Sequence, residues 1–94
     1  MKKEFKVIAD LLPNNVRVLD VGCGDGSLMS HLIKEKNIEA RGLELKKDNV
    51  TKCIYKGLPV IEGNAETELH QFPNQSFDFV ILSQTLQAFY NPEK

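Results

Sequence analysis

The apolar positions of this chain change period several times along its length. Phe5, Ile8, Leu11 and Leu12 recur at helical spacing over residues 3–12, and Pro13-Asn14-Asn15 stops that segment. A β-branched run from Arg17 to Val21 predicts a first strand. Ser27 to Lys36 then carries Leu28, Met29, Leu32 and Ile33 on one helical face. A second strand is expected over Glu39 to Leu45. A second amphipathic helix follows from Asp48, as N-cap, to Lys56, with Val50, Cys53 and Ile54 on its apolar face. Gly57 is its C′ residue and Pro59 lies just beyond. Pro59-Val60-Ile61-Glu62 predicts a short third strand, Gly63-Asn64-Ala65 a turn, and Thr67 to Gln71 a short helical turn. Phe77 to Leu82 is a nearly continuous apolar run, expected as a buried fourth strand. Ser83-Gln84-Thr85 then leads into Leu86-Gln87-Ala88-Phe89-Tyr90, the expected start of another helix.

Strands alternating with helices imply an α/β domain with a parallel sheet and right-handed crossovers. Ligands of such sheets bind beyond the carboxyl ends of the strands, where the strand order reverses. The polar and glycine-rich positions collect at those ends: Asp20 to Gly26, Glu44, Asn64-Ala65 and Ser83-Gln84.

The first of these ends is the most informative. Gly22-Cys23-Gly24-Asp25-Gly26 joins a strand to a helix, and its glycines allow close approach of a ligand to the main chain. The spacing is Gly-x-Gly-x-Gly, which is neither the dinucleotide fingerprint nor a phosphate loop with its Lys-Ser/Thr pair. Asp20 and Asp25 bracket the turn. Carboxylates beside a pyrophosphate would oppose the attraction of the helix terminus that normally holds it. A ligand with an adenosine and a cationic amino-acid tail suits the loop better, which points to S-adenosylmethionine and away from NAD or ATP. Glu44 closes the second strand at the offset expected for a carboxylate that accepts from both ribose hydroxyls.

Composition narrows the class without changing this reading. The chain has 94 residues, 41% of them hydrophobic, and a formal net charge of −1, so one small domain over residues 1–94 is expected, with no general electrostatic case for nucleic acid. No stretch is long and apolar enough for a membrane span, and Met1-Lys2-Lys3-Glu4-Phe5 lacks a signal-peptide core. Cys23 and Cys53 fall in different elements without metal spacing, which fits reduced thiols in a cytoplasmic protein. His31 and His70 are isolated and are assigned to solvated surface; no metal site is expected.

Val18-Leu19-Asp20-Val21-Gly22-Cys23-Gly24-Asp25-Gly26, Glu44 and Gly63-Asn64-Ala65-Glu66 resemble the class I S-adenosylmethionine-dependent methyltransferase superfamily. Three further segments resemble, more narrowly, the methionine biosynthesis protein MetW family. They are Gly57-Leu58-Pro59-Val60-Ile61, Phe72-Pro73-Asn74-Gln75-Ser76-Phe77-Asp78 and Val80-Ile81-Leu82-Ser83-Gln84-Thr85-Leu86-Gln87-Ala88. The resemblance implies a Rossmann-like three-layer α/β/α sandwich with parallel sheet order 3-2-1-4, the N-terminal half of a class I methyltransferase fold. It implies a cofactor site for S-adenosylmethionine or S-adenosylhomocysteine. Gly22, Cys23, Gly24 and Gly26 would lie under the methionyl part and ribose, with Asp20 near the ammonium and Glu44 on the ribose hydroxyls. Leu45 would lie against adenine, and Ala65 would offer its backbone N–H to a ring nitrogen. Asn64 stands where the family usually carries Asp, so its carbonyl would accept from the adenine amino group without charge assistance. Ser83 and Gln84 would line the cleft near the sulfonium; read without the resemblance, they are equally an N-cap and first helical turn.

Three functions follow as alternatives. The first is a methyltransferase, although the chain offers no persuasive base, so these 94 residues alone are not expected to transfer a methyl group. The second, implied by the MetW resemblance, is a cofactor-binding partner or regulator of homoserine O-acyltransferase. The third is a degenerate domain that binds nothing. The strand order would also leave the fourth strand as an apolar, unpaired edge, so self-association through that edge is expected.

Overall fold

The computed structural model describes residues 3–68, 72, 76–83 and 87–90. In chain order these form α1 (Lys3–Leu11), β1 (Arg17–Val21), α2 (Ser27–Lys36), β2 (Glu39–Glu44) and α3 (Lys47–Tyr55). They continue with β3 (Val60–Glu62), α4 (Ala65–Glu68), β4 (Phe79–Leu82) and β5 (Gln87–Tyr90). The sheet order is β3-β2-β1-β4-β5, with the first four strands parallel and β5 antiparallel to β4. The expected 3-2-1-4 order is therefore present, with one more strand added.

Alternation along β1 decides which side chains meet the helices. Val18 pairs in register with Ala40 of β2 and Phe79 of β4. All three join a core built from Ile8, Ala9 and Leu12, from Leu28, Met29 and Leu32 of α2, and from Cys53 of α3. Leu19 and Leu43 point to the opposite face and are each 1% exposed, so the centre of the sheet is dry on both sides. Gly42 lets α2 settle on β2: a Cβ there would stand 2.6 Å from Met29 Cε and 2.7 Å from Cys23 Sγ.

Two side chains fasten the ends of this core. Lys36 donates from Nζ to the carbonyls of Ala9 and Leu12 at the end of α1, where the Ala9 carbonyl also accepts from the Leu12 N–H at 3.1 Å. Asp78, buried just before β4, accepts from the Arg17 backbone N–H at 2.8 Å and from its guanidinium at 3.3 Å. The Asp78 N–H returns a bond of 2.8 Å to the Arg17 carbonyl. This clasp fixes the register of the last parallel strand.

Several expectations need correction. Gln87–Tyr90 is not helical but pairs with β4 from Leu82↔Gln87 to Phe79↔Tyr90, and Leu86 lies outside the described residues. The edge of β4 offers this segment a ready ladder of backbone partners. The fourth strand is therefore covered by β5, and the basis for self-association through its edge is gone. Leu11 and Ile54 are 71% and 64% exposed, because Ala9 and Cys53 take the inward positions instead. The N-cap of α3 is Lys46, not Asp48, which lies inside the first turn. The short helix begins at Ala65 rather than Thr67; residues 69–71, which completed the expected turn, lie outside the described residues, as does His70.

Gly42→Ala is expected to destabilise the fold by about 1–3 kcal/mol, the cost of overpacking a filled core. Urea denaturation of the two proteins measures it, and an unchanged midpoint would show that α2 does not sit this close to β2.

Candidate functional site

The carboxyl ends of all four parallel strands open onto one hollow of about 250 Å³. Its lining comes from Val21 and Gly22 after β1, Leu43 to Leu45 at the end of β2, Gly63 to Ala65 after β3, and Leu82 of β4. Of the residues expected from sequence, Gly22, Glu44, Leu45, Asn64 and Ala65 meet here. Leu45 is 64% exposed and presents apolar surface at the rim. Ala65 is the first residue of α4, so no carbonyl of that helix can take its N–H.

Glu44 organises the site. Its Oε1 accepts from the Gly24 N–H at 2.7 Å, and its Oε2 accepts from the Lys46 N–H at 3.0 Å. The side chain thus ties the end of β2 to the glycine turn and caps the start of α3, which has no cap from its own N-cap side chain. The residue is only 4% exposed, yet each carboxylate oxygen keeps a further lone pair for a ligand. Gly24, at φ +60°, has nothing within 4 Å of a would-be Cβ, so the turn is open above it.

The remaining glycine and the cysteine of the turn face the other way. A Cβ on Gly26, at φ +84°, would meet Leu58 Cδ1 at 2.4 Å and Cys53 Sγ at 3.0 Å, so this glycine is required by the packing of α3. Cys23 is buried in the core with its Sγ 4.0 Å from Cys53 Sγ, and both are free thiols. Spacing in the sequence carries no signal for this contact, because thirty residues separate the pair.

The charges are also distributed differently from the sequence reading. Asp20 has no exposed surface; its Oδ1 accepts from the Ser83 hydroxyl, while its Oδ2 has no hydrogen-bond partner among the described residues. Burial pushes its pKa up to about 7; the Ser83 bond opposes that shift and the nearby Glu44 charge adds to it. Asp25 lies outside the hollow, accepting from the Ser27 N–H at 3.0 Å and the Ser27 hydroxyl at 2.7 Å, with Lys56 Nζ at 3.9 Å. Those Ser27 bonds hold its carboxyl below the usual range. The acid that lines the hollow is therefore Glu44, with Asp20 buried behind it and Asp25 outside it. Ser83 serves Asp20 instead of capping a helix, and Gln84 lies outside the described residues. Among the described residues no group of His, Cys, Asp and Glu could hold a metal ion, and no helix is long and apolar enough to cross a membrane.

A glycine turn from β1 into α2, an acid closing β2 and four parallel strands ordered 3-2-1-4 define a Rossmann-like domain of the class I methyltransferase type. A crystal structure of a SAM-dependent methyltransferase from Archaeoglobus fulgidus superposes with a TM-score of 0.65 at 30% identity, over 84% of this chain and 38% of that one. TrmK of M. capricolum, solved with S-adenosylhomocysteine, shares the fold with a TM-score of 0.72 at 17% identity, over 92% of this chain and 44% of that one. The family model described as methionine biosynthesis protein MetW matches residues 2–94, and the chain belongs to that family. It is also 33% identical over 93 residues to the bifunctional methionine biosynthesis protein MetXA/MetW of Rhodopirellula baltica. That match covers 89% of this chain and 15% of the relative, so the chain spans a minor part of the proteins it resembles.

Asp20 makes stability depend on pH in an unusual direction. An ordinary aspartate ionises near pH 4, whereas the folded protein holds this proton to about pH 7. Between those values the folded state binds the extra proton, so raising the pH favours unfolding until both states are ionised. The urea midpoint is expected to fall between pH 5 and pH 8, and Asp20→Asn to lessen that fall. An equal fall in both proteins would exclude Asp20 as its source.

Proposed function

We propose that this chain binds S-adenosylmethionine and S-adenosylhomocysteine in the hollow at the strand ends. The observation that carries the reading is the Glu44 carboxylate, buried, bonded to the glycine turn, and still able to accept from two vicinal hydroxyls. Leu45 and the Asn64-Ala65 turn share its hollow and supply an apolar face, an amide and a backbone donor for a purine. Glu44 on the wall of the hollow, with the carboxyl of Asp20 buried behind it, favours a cationic ligand over a phosphate. The cofactor would supply an electrophilic methyl group on sulfur. The chain's own part is to hold the ribose, exclude water from the acids and fix the adenosine against Leu45.

The role of the bound cofactor is read as that of a MetW component in methionine biosynthesis, beside a homoserine O-acyltransferase. The relative that carries MetXA and MetW in one polypeptide supports this reading. The acids at the strand ends support it too. Glu44 is held by two backbone donors and Asp20 is sealed in the core, so neither is placed to take a proton from a methyl acceptor. Binding in that setting acts as a signal if the complex prefers one ligation state.

Isothermal titration with S-adenosylhomocysteine tests the site. Binding is expected for the wild-type chain, and Glu44→Gln is expected to lose about 1.5–3 kcal/mol, the usual worth of charged hydrogen bonds. Tight binding of ATP or NADH with refusal of S-adenosylhomocysteine would defeat the reading. Assaying a homoserine O-acyltransferase with and without this protein, across cofactor concentrations, tests the partner. No change in its rate, together with transfer of a labelled methyl group, would assign the chain to catalysis instead.

A further inference from the structure

We propose that Cys23 and Cys53 are an oxidative modification site, forming a reversible disulfide that disables the hollow. The two sulfurs stand 4.0 Å apart, one on the glycine turn and the other on α3. Both contact the same carbonyl: Gly24 O lies 3.4 Å from Cys53 Sγ and 3.9 Å from Cys23 Sγ. A disulfide brings its sulfurs to about 2.05 Å, so one side of the pair must move by roughly 2 Å. The space around them does not allow this without cost. A Cβ on Gly42 would stand 2.7 Å from Cys23 Sγ and one on Gly26 3.0 Å from Cys53 Sγ, so both sulfurs are closely packed against glycine backbone. The movable part is the turn itself, and it carries the Gly24 N–H that Glu44 holds. Closing the disulfide pulls that turn toward α3 and breaks the clasp.

Hydrogen peroxide is a sufficient oxidant and small enough to reach buried thiols during local opening. One thiol attacks a peroxide oxygen, becoming a sulfenic acid and releasing water. The second thiol attacks that sulfur, its proton leaves with the expelled hydroxide as a second water, and the S–S bond forms. Two sulfurs lose two electrons in all, and one peroxide becomes two waters. Burial raises the pKa of both thiols, while Lys56 favours the thiolate of Cys53. The reaction is therefore slow at neutral pH, quickens in alkali, and begins at Cys53.

The consequence for ligand binding rests on the cofactor reading above, whereas the disulfide does not. Peroxide treatment of the chain, followed by intact mass spectrometry, is expected to show loss of two hydrogens that dithiothreitol restores and Cys53→Ala prevents. Affinity for S-adenosylhomocysteine is expected to fall about tenfold or more on oxidation, the scale of one lost hydrogen bond to a charged group. It should recover on reduction and stay constant in peroxide-treated Cys53→Ala. Oxygen addition without hydrogen loss, or a disulfide that leaves affinity unchanged, overturns the proposal. If the reduced protein does not bind S-adenosylhomocysteine, the cofactor reading fails alone. Hydrogen exchange at Gly22–Gly26 then decides the proposal: faster exchange of the Gly24 amide on oxidation supports it, and an unchanged rate refutes it.

Discussion

The Glu44 carboxylate ties three parts of the chain together at one point. It sits where β2 ends, accepts from the turn that follows β1 and caps the helix that leads to β3. Parallel strands cannot share a hairpin, so their ends are brought into one site only by crossovers and by links of this kind. Once Glu44 is in place, the glycine turn has a defined height above the sheet, and the hollow has a defined wall. The same oxygens that do this structural work retain the lone pairs a ligand would use. Site geometry and local stability are therefore coupled through one group.

Around that link the protein tolerates an electrostatic conflict. Asp20 is sealed behind the turn, satisfied on one oxygen by Ser83 and without a partner among the described residues on the other, and it feels the Glu44 charge. A buried carboxyl with an idle oxygen is costly in a fold that otherwise packs apolar residues at this depth. It is the kind of local inconsistency expected where a fold is shaped for a ligand and not only for stability. Asp25 carries no such strain, because it is solvated and committed to Ser27 and Lys56.

Close packing explains why small residues recur in the turn for two separate reasons. Gly24 is open above, consistent with approach from the solvent side, while Gly26 and Gly42 are pressed from below by Leu58, Met29 and the two cysteines. The glycine turn thus combines a position that is open, Gly24, with one, Gly26, that permits α3 to pack against it, and Gly42 on β2 does the same for α2. The cysteine pair is a product of that approach.

Periodicity determined the order of strands and helices as far as β4, and the turn, the spaced acid and the strand-end positions located the hollow. These are local signals: hydrophobic period, glycine at a strand end, a carboxylate about twenty residues on. What each side chain does there was decided by the tertiary structure. Which of the acids lines the hollow, that Ser83 serves Asp20, and whether Cys23 meets Cys53 depend on contacts between residues far apart in the chain. The segment Gln87–Tyr90 shows the same limit from the side of backbone structure. Its composition permits helix or strand, and only the unpaired ladder of β4 beside it selects the strand. Local sequence sets which conformations are cheap, and long-range packing and hydrogen bonding choose among them.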